Sequence, residues 1–258
     1  MKLFRCILLT SAVLALVLFN SGFTSDETRL EIPKLKNQKL SSEVVNHEGY
    51  TVSYNNKTLI PNWVAYELTD EEASGTVPRG NKKFRPDPDL KGRQACDDDY
   101  RGSGYDRGHM APAADMKWSE KTMTESFYFT NCCPQNHNLN GGDWEKLEEK
   151  VRSTAKRWGR VYVCCGPLIG KNEQGTVGEN KVVVPDAFFK VMMVETKDFG
   201  RQGIGFIMKN KAGKRKLIDY ATTIDEVEEL TGMDFFYSLP DDEEEKMESS
   251  ADVLFWLL

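Results

Sequence analysis

At 258 residues with 40% hydrophobic content, the chain can bury one sizeable core, and nothing in its length requires a second domain. A formal charge of -6 argues against a uniformly basic surface, yet eleven acids stand against the single Lys246 between Asp225 and Glu248, a local -10 that leaves +4 on the rest. A face that binds phosphate therefore stays open, beside the plainer reading of a solvated mixed-charge surface.

In chain order, Lys2 and Arg5 precede an apolar run from Ile7 to Phe19, with small and polar residues from Asn20 to Ser25. That layout predicts a secretory signal peptide over 1–24 and a secreted or periplasmic protein, because the run is short for a membrane span; an uncleaved anchor is the alternative. Cys6 lies before the run, which does not support a lipoprotein. Residues 25–44 read as a polar linker or arm, and 45–258 as a single domain with an acidic C-terminal segment. The remaining cysteines, Cys96, Cys132, Cys133, Cys164 and Cys165, show no C-x-x-C spacing, so buried small hydrophobes are expected before zinc, with one disulfide as the alternative.

Alternating apolar and polar residues from Gly49 to Leu68 flank Asn55 and Asn56, predicting two strands joined by a turn. Glu71 to Asp99, rich in Pro, Gly and charge, reads as a long surface loop. A short strand is expected over Phe127 to Thr130, and a helix over Asp143 to Trp158 with Asp143 as its N-cap. VYVCCGPLI, VVVPDAFFKVMMV and GIGFIMK add three strands, and Thr223 to Leu230 a short helix ending at Gly232. Without a regular βαβ alternation, the class is α+β, with a mixed or antiparallel sheet flanked by helices. On the long helix, Trp144, Leu147, Val151, Ala155 and Trp158 share one stripe, with Glu148 and Arg152 on its shoulder and Lys146, Lys150 and Arg157 across from it.

The stretch YRGSGYDRGHMAPAAD, Tyr100 to Asp115, crowds glycines around two arginines, two acids and His109. Glycine weakens strands and marks bulges or close approaches, so the segment reads as a strand end presenting His109 to a cleft. Histidine is the side chain whose ordinary pKa lies near neutrality, which suits a general base. A lone structural histidine is the competing reading.

DRGHMAPAAD resembles the signature of the DNA/RNA non-specific endonucleases of the ββα-metal (His-Me finger) class. The resemblance continues in TNCCPQNHNLNGGDWEKLE, Thr130 to Glu148, and in FRPDP, Phe84 to Pro88. It implies a ββα-metal active-site motif and a metal-dependent enzyme that hydrolyses phosphodiester bonds in DNA and RNA without regard to base or sugar, leaving 5′-phosphate ends. It further implies His109 as the base, Asn140 as the protein ligand of Mg²⁺ (Mn²⁺ as the alternative), Glu148 as the acid holding metal-bound waters, and Arg107 as support for the phosphate or the frame. Asn131 and Asn138 compete with Asn140. The upstream catalytic arginine corresponds to Arg79, with Arg85 as the fallback. Arg85, Gln135 and Arg152 would touch substrate, and a homodimer is compatible. Two other classes stay open: an exported phosphodiesterase acting on another substrate, and a catalytically silent nucleic-acid-binding protein.

Overall fold

A computed structural model of the chain describes residues 29–36, 40–171 and 174–257. The expected signal segment over 1–24 lies outside the described residues. Seven strands form the central sheet in the order Ala221–Thr222, Gly200–Lys209, Ala187–Thr196, Arg160–Leu168, Ile60–Thr69, Thr51–Asn55 and Glu43–Asn46. Every pairing in it is antiparallel, as the lack of βαβ repeats leads one to expect.

Alternation along the strands sorts side chains to two faces. Val161, Val163 and Cys165 join Phe188, Met192 and Val194 in one core; Tyr162 and Cys164 join Phe189, Val191 and Met193 in the other. The first core receives Leu147, Val151 and Ala155 from the helix Glu145–Trp158, and Trp144 from the turn just before it. The second receives Ile224 and Val227 from Ile224–Thr231 and Met247 from Asp241–Glu248. Cys164 and Cys165 thus sit on opposite faces. All five described cysteines are free; burial pushes the Cys132 thiol up to about 12, and the four buried cysteines act as packing groups, whereas the half-buried Cys96 thiol donates to Asp99. No helix among the described residues is long and apolar enough to cross a membrane.

Several local expectations are corrected. The short strand over 127–130 is instead a 3₁₀ turn, Phe129–Asn131, followed by the strand Cys132–Gln135. Asp143 caps no helix: its buried carboxylate accepts from Lys146 Nζ, the Arg215 N–H and Tyr220 Oη, and the helix begins two residues later. Pro185 divides the run 182–194 into Val182–Val183 and Ala187–Thr196, since proline cannot donate to a ladder. Within the expected arm over 25–44, Lys34–Leu35 pairs with Met233–Asp234, and Glu43–Asn46 begins at its end and edges the main sheet. The helix after Thr223 follows the sequence closely: Thr223 accepts the Glu226 N–H, and Gly232 at φ 68° ends it in the left-handed conformation that glycine adopts without cost.

Candidate active site

The strand Asp106–His109 pairs antiparallel with Cys132–Gln135, setting Gly108 opposite Cys133 and His109 opposite Cys132. A side chain at Gly108 would collide with that of Gln135, which fixes glycine between Arg107 and His109. The chain then enters a wide π-type turn, Leu139–Trp144, whose backbone leaves helical geometry at Gly141 and Gly142 before the helix resumes. Such π segments concentrate at functional sites. Two strands, a distorted turn and a helix thus form one ββα unit.

His109 lies at the strand end in an aromatic recess. Its ring centroid is 4.6 Å from that of Phe84 and 5.0 Å from that of Phe127, edge on. Its Nε2 is buried without a hydrogen-bond partner. Burial, aided by the positive charge of Arg79, lowers the pKa to about 3, so the imidazole is neutral at pH 7 with a free ring nitrogen. The Arg79 guanidinium lies 4.9 Å from the centroid of the Phe127 ring, so one aromatic side chain contacts both the imidazole and the cation. Arg85, by contrast, stacks on Tyr128 at 5.1 Å. Of the two arginines, it is Arg79 that shares an aromatic neighbour with His109.

Asn140 is tied to the same strand. Its Nδ2 donates to Asp106 Oδ2 at 2.9 Å, and His137 Nδ1 pairs with that oxygen at 3.0 Å. With the amide nitrogen held by a carboxylate, the carboxamide is oriented and its oxygen is left to accept or ligate. Asn131 is excluded from that role because its amide is spent: Nδ2 donates to the carbonyls of Ala111 and Ser126, and Oδ1 accepts the Ala111 N–H. Asn138 is exposed on the rim.

Glu148, half-buried on the helix shoulder, faces a charged interior. Tyr66 Oη and Arg152 Nη1 both donate to the fully buried Asp115 carboxylate at 2.8 Å. Lys190, also fully buried, comes from the central sheet, with its ammonium 4.7 Å over the Trp144 ring and no hydrogen-bond partner. Burial raises the Glu148 pKa to about 8; Lys190 and Arg152 oppose that rise and Asp115 adds to it.

Two residues expected to touch substrate turn inward here. Gln135 is fully buried against Gly108, with both amide atoms unpartnered, so it presents no surface to a substrate. Arg152 turns inward to neutralise Asp115 and is not offered as an open clamp. Arg107 belongs to the frame: it pairs with Asp97 at 2.8 Å and stacks on Tyr100 at 5.4 Å. Asp106 and Lys190 escape a reading of the sequence alone. The available signals are an acid within DRGH and a lone cation inside an apolar strand. Two further clusters could hold a metal ion, His47 with Asp87 and Asp89, and Asp225 with Glu228 and Glu248; neither includes a predicted site residue.

The model of the DNA/RNA non-specific endonuclease family matches residues 31–242. Mitochondrial nuclease EXOG of Xenopus laevis is 34% identical over 215 residues, covering 78% of this chain and 60% of its own. Mitochondrial endonuclease G of Homo sapiens is 38% identical over 164 residues, covering 60% and 55%. Nuclease C1 of Cunninghamella echinulata var. echinulata is 34% identical over 211 residues, covering 76% and 84%. The chain thus spans somewhat over half the length of the two mitochondrial relatives. A solved EndoG/EndoGI complex, described as showing the mechanism of EndoG inhibition, superposes with a TM-score of 0.71 at 31% identity, covering 77% of this chain and 87% of that one. The expectation of a secreted or periplasmic protein is corrected by the EXOG and endonuclease G relatives and by nuclease 1 of Schizosaccharomyces pombe, which are named as mitochondrial nucleases.

Proposed function

This chain belongs to the DNA/RNA non-specific endonuclease family, and on that premise we propose that it hydrolyses phosphodiester bonds in DNA and RNA with His109 as general base. One observation carries the reading: a neutral imidazole with an unpartnered nitrogen closes the strand whose first residue, Asp106, orients the Asn140 carboxamide. The donor set fits a hard divalent cation, because Asn140 Oδ1 has no competing partner among the described residues and Glu148 adds a carboxylate along the helix. Asn140 would be the direct ligand of Mg²⁺, or Mn²⁺, with Glu148 holding its waters. When bound, such an ion supplies charge stabilisation at the phosphate and at the departing oxygen.

His109 takes the proton from the attacking water, and the Phe84 and Phe127 rings keep competing water from its buried nitrogen. Arg79, exposed on its loop beside Phe127, meets the phosphate as a guanidinium donor. Asp106 holds Asn140 in register with the strand. Indifference to base sequence follows where contacts go to phosphate and sugar. The test is a gel assay on supercoiled plasmid and total RNA, with chelator and with Mg²⁺ restored, alongside His109→Ala. Cleavage of both substrates that stops with chelator or His109→Ala is expected; undiminished turnover by the variant removes the assigned base.

A further inference from the structure

The hairpin strand Gly200–Lys209 runs into KNKAGKRK, residues 209–216, where Lys209, Lys211, Lys214, Arg215 and Lys216 are all exposed and none is ion-paired among the described residues. Five cations in eight residues, in a chain of net charge -6, form a local field opposite in sign to the whole. A solvated loop would be free to spread such charges apart, but this one is fastened at both ends to the candidate site. At its start, the nearly buried Asn210 donates through Nδ2 to the Pro134 carbonyl and accepts the Asn136 N–H at Oδ1, just where the histidine hairpin ends. At its far end, the Arg215 N–H and Tyr220 Oη donate to Asp143, inside the turn that carries Asn140. Gly213 lies so close to Tyr220 and Asp143 that a Cβ there would clash with Tyr220 Oη.

Between turn and loop lies a cleft of about 890 Å³, with His137, Gly141 and Lys146 on one wall and Lys214, Arg215 and Lys216 on the other. A second cleft of about 370 Å³ lies at Asn210, lined by Lys171, Lys209 and Lys211 together with Asp186. We propose that this loop is a phosphate-tracking arm that binds the polynucleotide backbone flanking the scissile bond, extending the site beyond a single phosphate. The proposal rests on the nuclease reading for the identity of the polyanion. The loop carries no aromatic side chain between residues 209 and 216, so it grips charge and does not stack bases, as binding without sequence preference requires.

The test is binding, read apart from cleavage. With divalent cations chelated, the affinity of the full chain for a fluorescent duplex is measured by anisotropy between about 50 and 200 mM salt. K214A/R215A/K216A should weaken affinity at least about tenfold and flatten the slope of log affinity against log salt by about 2 to 3, close to 0.9 for each phosphate no longer neutralised. The matched variant K156A/R157A/K197A removes equal charge from side chains that line neither cleft, and should change the slope by less than about 1. An unmoved slope in the folded loop variant overturns the proposal, and so does an equal fall in the control. If the alanine variant does not fold, K214Q/R215Q/K216Q takes its place. A slope that falls in a protein that cleaves nothing upholds the arm and sinks the hydrolytic reading. Cleavage with an unmoved slope does the reverse.

Discussion

His109 and Glu148 are brought to the same uncharged state by different neighbours. Around His109 everything opposes charge: two aromatic rings, an unpartnered nitrogen and the Arg79 cation. Around Glu148 the surroundings are divided, since burial and Asp115 favour the protonated acid while Lys190 and Arg152 favour the carboxylate. Both groups are mainly uncharged at neutral pH without a cation, but only Glu148 has partners waiting for its charge. A base needs to be unprotonated before the reaction, and His109 already is. An acid that holds a cation's waters needs to ionise when the cation arrives, and the Lys190 ammonium reduces the cost of doing so.

The contrast can be broken most directly at His109. His109→Ala should lower kcat by about 10² to 10⁴, the usual span for a general base, as read from plasmid relaxation. At the other pole, Asp106→Ala should raise the Mg²⁺ concentration for half-maximal activity by about 10- to 100-fold by releasing Asn140, and an unchanged titration would detach Asn140 from the cation. Arg79→Ala should reduce cleavage more than Arg85→Ala, because only Arg79 shares the Phe127 ring with His109; equal losses would erase the distinction.

The smallest effects lie in stability against pH, and the two groups act with opposite sign. Folded His109 forgoes a proton that the unfolded chain binds, so its share of stability falls as pH drops from 6.5 towards about 3. Folded Glu148 keeps a proton that the unfolded chain has lost, so its share falls as pH rises from 4.5 to about 8. Chelated thermal melts of Glu148→Gln should lose the second slope and keep the first. A variant with the parent's profile would show that Glu148 ionises normally.

The histidine strand and the helix are legible in the sequence because their signals are local. The apolar stripe from Trp144 to Trp158 needs only helical spacing, and the glycines around His109 need only backbone geometry. Gln135 and Arg152 mislead for a related reason: a polar side chain looks like a contact until Gly108 and Asp115 are seen beside it, and those neighbours are set by strand pairing and by a fold-back of 37 residues. Lys190 lies in plain view within an apolar strand, but its facing Trp144 depends on the helix crossing the sheet. Asp143 looks like a helix cap because its neighbours in sequence suggest one, whereas its partners Arg215 and Tyr220 arrive from more than 70 residues away.

The five free cysteines bear on where such a protein can work. Four are wholly interior, split between the two sides of the sheet, and no cross-link among them supports the fold. The architecture asks nothing of an oxidising environment, so it should assemble equally well where glutathione keeps thiols reduced, and a reductant in the buffer should leave its melting point where it was.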